Sequence, residues 1–462
     1  MFRKPTATLT LLLLLTLTQT ARANTAWDGV HVEPGQDNAV ISLSAIDGST
    51  AWALAVRNNG QSSELVGLRT TDGDNWQQLT LPASANPMFP TFFSALVLMD
   101  GQTGYVAGLD LPTNKIWQST NSGGSWTEVT TTDSVVSQFQ ALPTGDLYGV
   151  AGNTVVHSSD GVTWTSTAVP SPGGDVSAQG IFMLNASCGW LVGGWAFDED
   201  NHPAPSDGAV WSTQDGGQTW TLLAQGLPFY LHRVHFVAGN LGFAVGSTGD
   251  RGVLVRTTDG GQTWTEQDLP IHPAMPEVCL GFGFCIDDPA EISDMLSVRF
   301  FDASRGIALG LACTSPPCDR GDSTATYLTS LLRTYDGGQT WAHDEHYEDA
   351  MPEIDLQFMT LPGPLAKQLT MAFPDPNHGF VAGQHNMILR YVASAPESPG
   401  EVTLPGCDSN ANTNGSTNSN GSPWQNDPSG SAGCGCSANP AAGTTLALLL
   451  LAALLLLIRR RP

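Results

Sequence analysis

Basic residues are scarce in this 462-residue sequence, which has 18 Lys and Arg against 43 Asp and Glu. Six of the basic residues lie at the two ends of the chain, so the remainder carries twelve basic and forty-three acidic side chains. Such a surface repels nucleic acid and anionic headgroups, and it disfavours anionic substrates that do not meet a local basic pocket. We therefore predict no nucleic-acid partner. In a second interpretation the acidity only keeps the protein soluble.

Long apolar runs stand at the ends of the chain. The start has two basic residues, Arg3 and Lys4, then an apolar run over 9–17, then the small-x-small sequence that ends at Ala23. This order is typical of a secretory signal peptide. We predict that residues 1–23 are a signal peptide, cleaved after Ala23, and that the protein is exported.

The other end begins with an Asn/Ser/Gly-rich stretch over 397–433, which has too few apolar side chains to offset chain entropy and is predicted to be a disordered linker. The apolar run 441–458 is about the shortest that spans a bilayer, and the arginines 459–461 favour a cytoplasmic end. A plain single-span anchor is one interpretation.

Two cysteines, Cys434 and Cys436, precede this apolar run. With the helix and the arginines they resemble the myxobacterial C-terminal sorting signal called MYXO-CTERM. The resemblance implies that 434–462 is cut near the cysteines by a membrane protease and that a modified cysteine holds the protein at the cell surface or outer membrane. Export and processing machinery and the membrane are then expected partners.

Cysteine is otherwise rare, with six residues outside that pair. An even number in an exported chain predicts disulfides. Cys279 and Cys285, like Cys313 and Cys318, are close enough in sequence to close their own loops, but the pairing stays open. A zinc site is the weaker interpretation, because no Cys-x-x-Cys pair with a matching partner occurs.

One nine-residue phrase recurs, as "STQDGGQTW" at 212–220, "RTTDGGQTW" at 256–264 and "RTYDGGQTW" at 333–341. Shorter relatives stand at 70–76, 119–126 and 158–164. The residue types are those of a tight hairpin turn: Asp caps backbone N–H groups, Gly adopts a positive φ, and Trp opens the next strand with a large ring to bury.

A second phrase precedes each turn, for example "LGFAVG" at 241–246 and "RGIALG" at 305–310. Alternating strands flank it, so the repeating unit has four short antiparallel strands. Such units at this spacing predict a β-propeller. The last unit lacks a fourth strand, and the segment 25–33 can supply it. We predict an all-β fold, a seven-bladed propeller over 24–396, closed by an N-terminal strand and followed by the linker and the hydrophobic helix.

The turn resembles the Asp-box, or BNR repeat, of sialidases, sortilin-type receptors, two-propeller xyloglucanases and the photosystem II assembly-factor propeller. This resemblance implies a propeller but no particular activity. It places the turns away from the active face, which makes their Asp or Asn structural. We assign that role to Asp72, Asn121, Asp160, Asp215, Asp259 and Asp336, and assign the burial between blades to Trp27, Trp76, Trp126, Trp164, Trp220, Trp264 and Trp341.

The long insertions all fall in connections opposite the Asp turns, where binding sites usually lie. They carry acids and histidines, most densely in "HDEHYED" at 343–349. These side chains could bind Ca²⁺ or a transition metal, although a solvated acidic surface explains them more simply. We expect Asp344→Ala to leave stability unchanged. The candidate binding residues are Asp198, Asp200, His202, Asp287, Asp288, His343, Asp344, Glu345 and His346.

Two functions from different classes remain. The first is a non-enzymatic surface propeller, without catalytic residues or a required cofactor, that binds a protein or glycan through the loop-rich face. The second is a glycoside hydrolase that uses paired carboxylates in the same loops. A sialidase is disfavoured because the Arg-Ile-Pro phrase of that family is absent, and a xyloglucanase needs two propellers where this chain has room for one.

Overall fold

The structure is a computed structural model. It describes a set of segments that together hold thirty β-strands, numbered β1 to β30 in chain order. These segments are residues 27–31, 39–58, 63–84, 90–173, 176–194, 208–248, 251–271, 278–280, 284–286, 292–313, 327–344, 347, 369–383 and 387–393.

The described strands form seven antiparallel sheets of four strands each, which confirms the predicted propeller. Neighbours along the chain are neighbours in each sheet, except where the ring closes. Blade 1 has β2 (Ala39–Ala45), β3 (Ala51–Asn58), β4 (Ser63–Thr70) and β5 (Gln77–Leu79); blade 2 has β6 (Phe92–Leu98), β7 (Gly104–Asp110), β8 (Thr113–Ser119) and β9 (Thr127–Thr132); blade 3 has β10 (Val136–Ala141), β11 (Leu147–Ala151), β12 (Thr154–Ser158) and β13 (Thr165–Ala168); blade 4 has β14 (Ser177–Met183), β15 (Gly189–Gly194), β16 (Gly208–Thr213) and β17 (Thr221–Leu227).

The later blades repeat this order. Blade 5 has β18 (Tyr230–Phe236), β19 (Gly242–Ser247), β20 (Gly252–Thr257) and β21 (Thr265–Glu266); blade 6 has β24 (Ile292–Phe300), β25 (Gly306–Cys313), β26 (Tyr327–Thr334) and β27 (Ala342–His343); blade 7 has β28 (Thr370–Asp375), β29 (His378–Ala382), β30 (Ile388–Val392) and β1 (Trp27–His31).

The first strand of each blade contacts the first strand of the next, from blade 1 round to blade 7 and back to blade 1. These seven strands therefore form the innermost layer and surround the central channel that a propeller encloses. The other strands lie progressively further out.

The ring closes through the N-terminal strand, as predicted. β1 pairs antiparallel with β30, with Trp27 opposite Tyr391 and Gly29 opposite Leu389. Trp27 is 2% exposed and lies among aromatic rings, with centroid distances of 5.0 Å to Tyr347 and Tyr391. The first and last ordered parts of the propeller thus share one sheet.

The repeated tryptophans join neighbouring blades. Each one packs on the second strand of the preceding blade, as Trp126 does on Trp52 at 5.9 Å between ring centroids and Trp76 does on Phe380 at 5.8 Å. The residue contacted in the preceding blade is the third residue of the "LGFAVG"-type phrase, so the two repeated phrases are partners. Trp27, Trp220 and Trp341 are buried, whereas Trp76, Trp126, Trp164 and Trp264 are partly exposed.

These tryptophans stand immediately before the fourth strand in six blades, where the sequence predicted them inside it. The fourth strands begin at Gln77, Thr127, Thr165, Thr221, Thr265 and Ala342. The Asp turn therefore ends with the Trp ring rather than before it.

One described element was not predicted. β22 (Val278–Leu280) and β23 (Phe284–Ile286) form a separate two-stranded hairpin within the connection from blade 5 to blade 6. Its backbone register places Cys279 opposite Cys285.

In the described segments there is no helix long and apolar enough to cross a membrane. The predicted signal peptide with Ala23, the predicted linker 397–433 and the predicted sorting tail 434–462 with Cys434 and Cys436 lie outside those segments.

We predict that Trp27→Ala lowers the free energy of unfolding by about 3–5 kcal/mol, because it removes a fully buried ring at the joint that closes the propeller. Chemical unfolding measures the loss. Trp264→Ala is the matched control, since Trp264 is partly exposed and lies within a continuous stretch of blades. An equal or smaller loss for Trp27→Ala would contradict the closure described above.

Candidate binding face

Hydrogen bonds explain the repeated Asp turns. In the turn of blade 5, Asp259 Oδ1 accepts from the Thr263 N–H at 2.9 Å and from Thr257 Oγ1 at 2.8 Å. The Gly261 N–H donates to Thr257 Oγ1 at 2.9 Å. The same bonds, with local changes, surround Asp72, Asn121, Asp160, Asp215 and Asp336.

Because these bonds favour the ionised carboxylate, they lower its pKa. Bonds from the Thr340 side chain and N–H lower the pKa of Asp336 to about 2. Burial opposes the effect at Asp215 and Asp259, but the bonds from Thr219 and Thr263 still leave both pKa values below the usual range. These carboxylates hold turns and stay ionised, as a structural role requires.

Glycine is needed in these turns for two reasons. Gly338 has a φ of 74°, which favours glycine, and a Cβ there would collide with the Phe243 ring of blade 5. Gly261 has a φ of 95° and a Cβ there would touch Trp190 of blade 4. The turn therefore serves the same interblade contact as its Trp.

The turns lie on one face of the ring. In four blades the Asp turn donates a backbone hydrogen bond to the turn between the first two strands, as Gly260 N–H does to Asn240 O at 3.0 Å. Both kinds of turn therefore share what we call the Asp-turn face. The connections between second and third strands, and between blades, open on the opposite, loop-rich face.

The described strands that flank the long insertions end on the side of the loop-rich face, whereas most of the inserted residues lie outside the described segments. Most of the candidate binding residues lie outside the described residues, namely Asp198, Asp200, His202, Asp287, Asp288, Glu345 and His346.

The two described candidates lie elsewhere. β27 is only two residues long and pairs near the Asp-turn end of β26, with His343 opposite Leu332. His343 Nε2 lies 3.0 Å from Ile271 O, and the Asp344 N–H donates to Leu331 O. Both residues are therefore at the outer edge of blade 6, below the loop-rich face.

Asp344 is a structural residue, so its predicted role in a solvated loop is wrong. It is 7% exposed and forms an ion pair with Arg333 Nε, and its Oδ1 accepts from the Tyr347 N–H. The Arg333 guanidinium also stacks over the Tyr391 ring at 4.6 Å. The pair joins blade 6 to blade 7 beside the Trp27 cluster.

Two buried carboxylates near the loop-rich face were not foreseen from the sequence. Asp110, at the end of β7, accepts from Lys115 Nζ at 3.0 Å and Ser84 Oγ at 2.8 Å. Asp294, in β24, lies 3.4 Å from His232 Nε2 of blade 5. No motif marks either residue.

Polar side chains cap the inner edge of the ring. The innermost strand of each blade has a sheet partner on one side only, so its channel-facing N–H and C=O groups need other partners. Ser42 and Ser44 accept from the N–H groups of Leu96 and Leu98 in the next blade, at 3.2 and 3.0 Å. The preceding blade thus supplies hydrogen-bond partners that a further strand would otherwise provide.

Blade 3 does the same with two amides. Gln138 accepts from the Ile181 N–H at 3.0 Å and donates to its carbonyl at 3.3 Å. Gln140 bonds Met183 in the same way, at 2.6 and 3.0 Å. Each amide imitates one rung of a β-ladder.

Histidine and arginine side chains occupy the corresponding places in blades 5 and 6. The next-to-last residue of the first strand is Ser44 in blade 1, Gln140 in blade 3, His235 in blade 5 and Arg299 in blade 6. Arg233 stands two residues before His235 and donates to His232 O at 2.9 Å.

Burial strongly affects these three groups. It lowers the pKa of Arg233 to about 10 and also lowers the pKa of Arg299, although both side chains keep some exposed surface. It lowers the pKa of His235 well below its usual range, the Arg299 charge adds to the effect, and a bond to the Phe300 backbone opposes it. His235 is therefore neutral at pH 7 near the charged Arg299 guanidinium group.

Metal binding has no support within the segments that the structure describes. No group of three or more His, Cys, Asp or Glu side chains is arranged there to hold an ion.

Comparison with family models identifies the family of the chain. The model of the DUF6242 beta propeller domain matches residues 24–275, which span β1 and the first five blades. The chain belongs to this family. No curated protein matches it.

Solved propellers resemble this member of the DUF6242 family at low identity. YCF48 bound to D1 peptide is 15% identical, with 82% of this chain and 98% of that chain covered and a TM-score of 0.51. Virginiamycin B lyase from Staphylococcus aureus is 13% identical, with 79% and 99% covered and a TM-score of 0.49. A GH74 enzyme of Niastella koreensis is 16% identical, with 79% and 53% covered and a TM-score of 0.48. The YCF48 likeness shows the fold alone.

Asp344→Ala is predicted to destabilise the propeller by about 3 kcal/mol, because it leaves the mostly buried Arg333 charge without its partner. Urea unfolding measures the loss. Asp133→Ala, at an exposed turn residue, is the control and should change stability by less than about 0.5 kcal/mol. Equal values for the two variants would show that the ion pair is unimportant.

Stability should also depend on His235 between pH 7 and pH 5. The unfolded chain binds a proton at the usual histidine pKa, whereas folded His235 does not, so the stabilisation present above pH 6.5 is lost as pH falls. The loss at pH 5 reaches up to about 2 kcal/mol. His235→Gln places at this position the residue that blade 3 uses, and its stability should fall less over the same range. Parallel pH profiles for both proteins would refute the assignment.

Proposed function

We propose that this protein is an exported, surface-anchored, non-enzymatic propeller that binds a protein partner through its loop-rich face. The anchoring rests on the signal peptide and on the sorting-like tail. The binding role rests mainly on one observation, the presence of Arg233 and Arg299 on the innermost strands of two neighbouring blades in an otherwise acidic protein.

The ring is suited to binding because contacts at three levels join its blades and make it rigid. Tryptophans and Asp turns join the blades on one face, polar caps join their inner edges, and β1 closes the circle. Long loops carried on such a scaffold can vary without loss of the fold, which is the usual arrangement of binding surfaces.

The charges indicate what kind of partner fits. A guanidinium group that has lost part of its hydration favours a carboxylate, and low-dielectric walls strengthen the attraction. The insertions in the connections opposite the Asp turns are rich in acids. The complementary ligand is a protein segment whose carboxylate enters the channel and whose flanks are neutral or basic.

YCF48, whose fold this chain shares, has been solved with a D1 peptide bound. That likeness supports a peptide-binding role for the fold, and we carry it to this chain only as part of the proposal. A glycan partner would not need the two guanidinium groups.

The test uses the full chain on a peptide array and a glycan array. The peptides carry a carboxylate at the terminus or in a side chain, and each has an amide-bearing counterpart. We expect binding to the carboxylate peptides that Arg299→Gln weakens about tenfold or more, in line with the loss of one buried charge contact.

Arg57→Gln is the matched control, because it removes the same charge from a partly exposed residue that pairs with Glu64. Its affinity should stay within about twofold of the wild type. Binding to neutral glycans that is unchanged in Arg299→Gln would contradict the proposal.

A further inference from the structure

We infer that Arg299 and His235 form one anion site, in which a carboxylate bound at Arg299 is held more tightly when His235 carries a proton. The two residues stand on the innermost strands of neighbouring blades, His235 in β18 and Arg299 in β24. The inference rests on the proposed function for its class of ligand and deepens it, because it says how binding at the same site is regulated.

Arg299 is a guanidinium group without a counter-charge in the described part of the chain. Its Nε is buried and has no hydrogen-bond partner there, and no described carboxylate forms an ion pair with it. By contrast, Arg305 pairs with Asp302, and Arg390 pairs with Asp74. A buried donor on a charged group is costly when it stays unpaired, so it indicates an acceptor from outside these segments. Part of Arg299 remains accessible to such an acceptor.

The carboxylate of the same strand is committed elsewhere. Asp294 lies five residues before Arg299 in β24, which places the two Cα atoms roughly 15 Å apart. Its carboxylate lies 3.4 Å from His232 Nε2 of blade 5. Asp294 is therefore not the counter-ion of Arg299, and an external anion can take that place.

His235 responds to the charge at Arg299. It is 7% exposed, its ring is hydrogen-bonded to the Phe300 backbone, and its centroid lies 4.3 Å from that of the Phe182 ring. Burial lowers the pKa of His235 well below the usual range, and the positive charge of Arg299 lowers it further. An anion on Arg299 cancels part of that charge, so His235 then takes up a proton more readily.

The other ionisable groups around His235 are few. Five strands pack against β18, and four of them, β14, β15, β16 and β19, carry no charged or titratable side chain. The fifth strand is β24, and with β18 itself it contributes Asp294, Arg299, Tyr230, His232 and Arg233. Within this described set, Arg299 is the charge that acts on the pKa of His235.

The coupling works in both directions. If an anion at Arg299 raises the proton affinity of His235, a proton on His235 raises the affinity for the anion by the same factor. Without the anion, His235 is neutral at pH 7, so the added affinity is absent there and grows as the pH falls toward 5. The site therefore binds a carboxylate more tightly in a mildly acidic medium.

Trifluoroacetate tests the inference, because this carboxylate stays ionised at each pH used and its fluorine NMR signal reports binding. The full chain is titrated with it at pH 7 and at pH 5. We expect the wild type to bind about threefold or more tightly at pH 5, as one neighbouring charge would cause. His235→Gln should lose this gain, and Arg299→Gln should weaken binding about tenfold at both pH values.

His157→Gln is the matched control, since it removes a partly exposed histidine that pairs with Asp146 in blade 3. It should keep the full gain at pH 5. A gain of equal size in the wild type and His235→Gln would come from the general loss of negative charge at low pH, and it would overturn the inference. A wild type that does not bind the anion would overturn it as well.

The imidazole NMR signals of His235 give a second readout that needs no His235 variant. With trifluoroacetate they should titrate at a higher pH in the wild type but not in Arg299→Gln, and an unchanged titration in the wild type would contradict the coupling. This test is separate from the peptide array. Proton-linked anion binding without any peptide partner would refute the proposed function alone, whereas peptide binding without proton linkage would refute this inference alone.

Discussion

The fold depends on how each blade packs against the blade before it. A large ring at the end of each Asp turn lies against the second strand of the preceding sheet, and a glycine in the same turn permits the approach. Since every blade contributes such a ring to its predecessor, the seventh must contribute one to the sixth as well. β1 supplies it with Trp27, and for this reason the two ends of the propeller meet in a single sheet.

A second constraint acts at the inner surface, where the backbone N–H and C=O groups of the innermost strands need hydrogen-bond partners. Strands at the channel have no neighbour on one side, and side chains of the preceding blade replace the missing strand. Serines and glutamines meet this need without charge in blades 1 and 3. Blades 5 and 6 place Arg233, His235 and Arg299 there instead, at the cost of desolvating them, and our proposal assigns the carboxylate of the ligand to this sector.

The sequence predicted features that repeat and missed those that occur once. Six turns with the same residue types and nearly the same spacing identified the blades, and the absence of a seventh pointed to Trp27. Asp344 was misassigned because its partner, Arg333, is fixed by hairpin register rather than by a motif, and because the surrounding acids suggested a solvated loop. Asp294 and His232 belong to two different blades that bring them together, and no local sequence pattern in either strand predicts that contact.

The caps on the inner edge also bear on how such a protein can change over time. Gln138 and Gln140 are useful only because Ile181 and Met183 present backbone groups at the right height in the following blade. Each sheet is therefore matched to its successor, even though the outer turns look alike. Blades exchanged or duplicated within this chain would keep their Asp turns yet lose their inner partners. The outer turns are therefore interchangeable between blades, whereas the inner hydrogen bonds are specific to each pair of neighbouring blades.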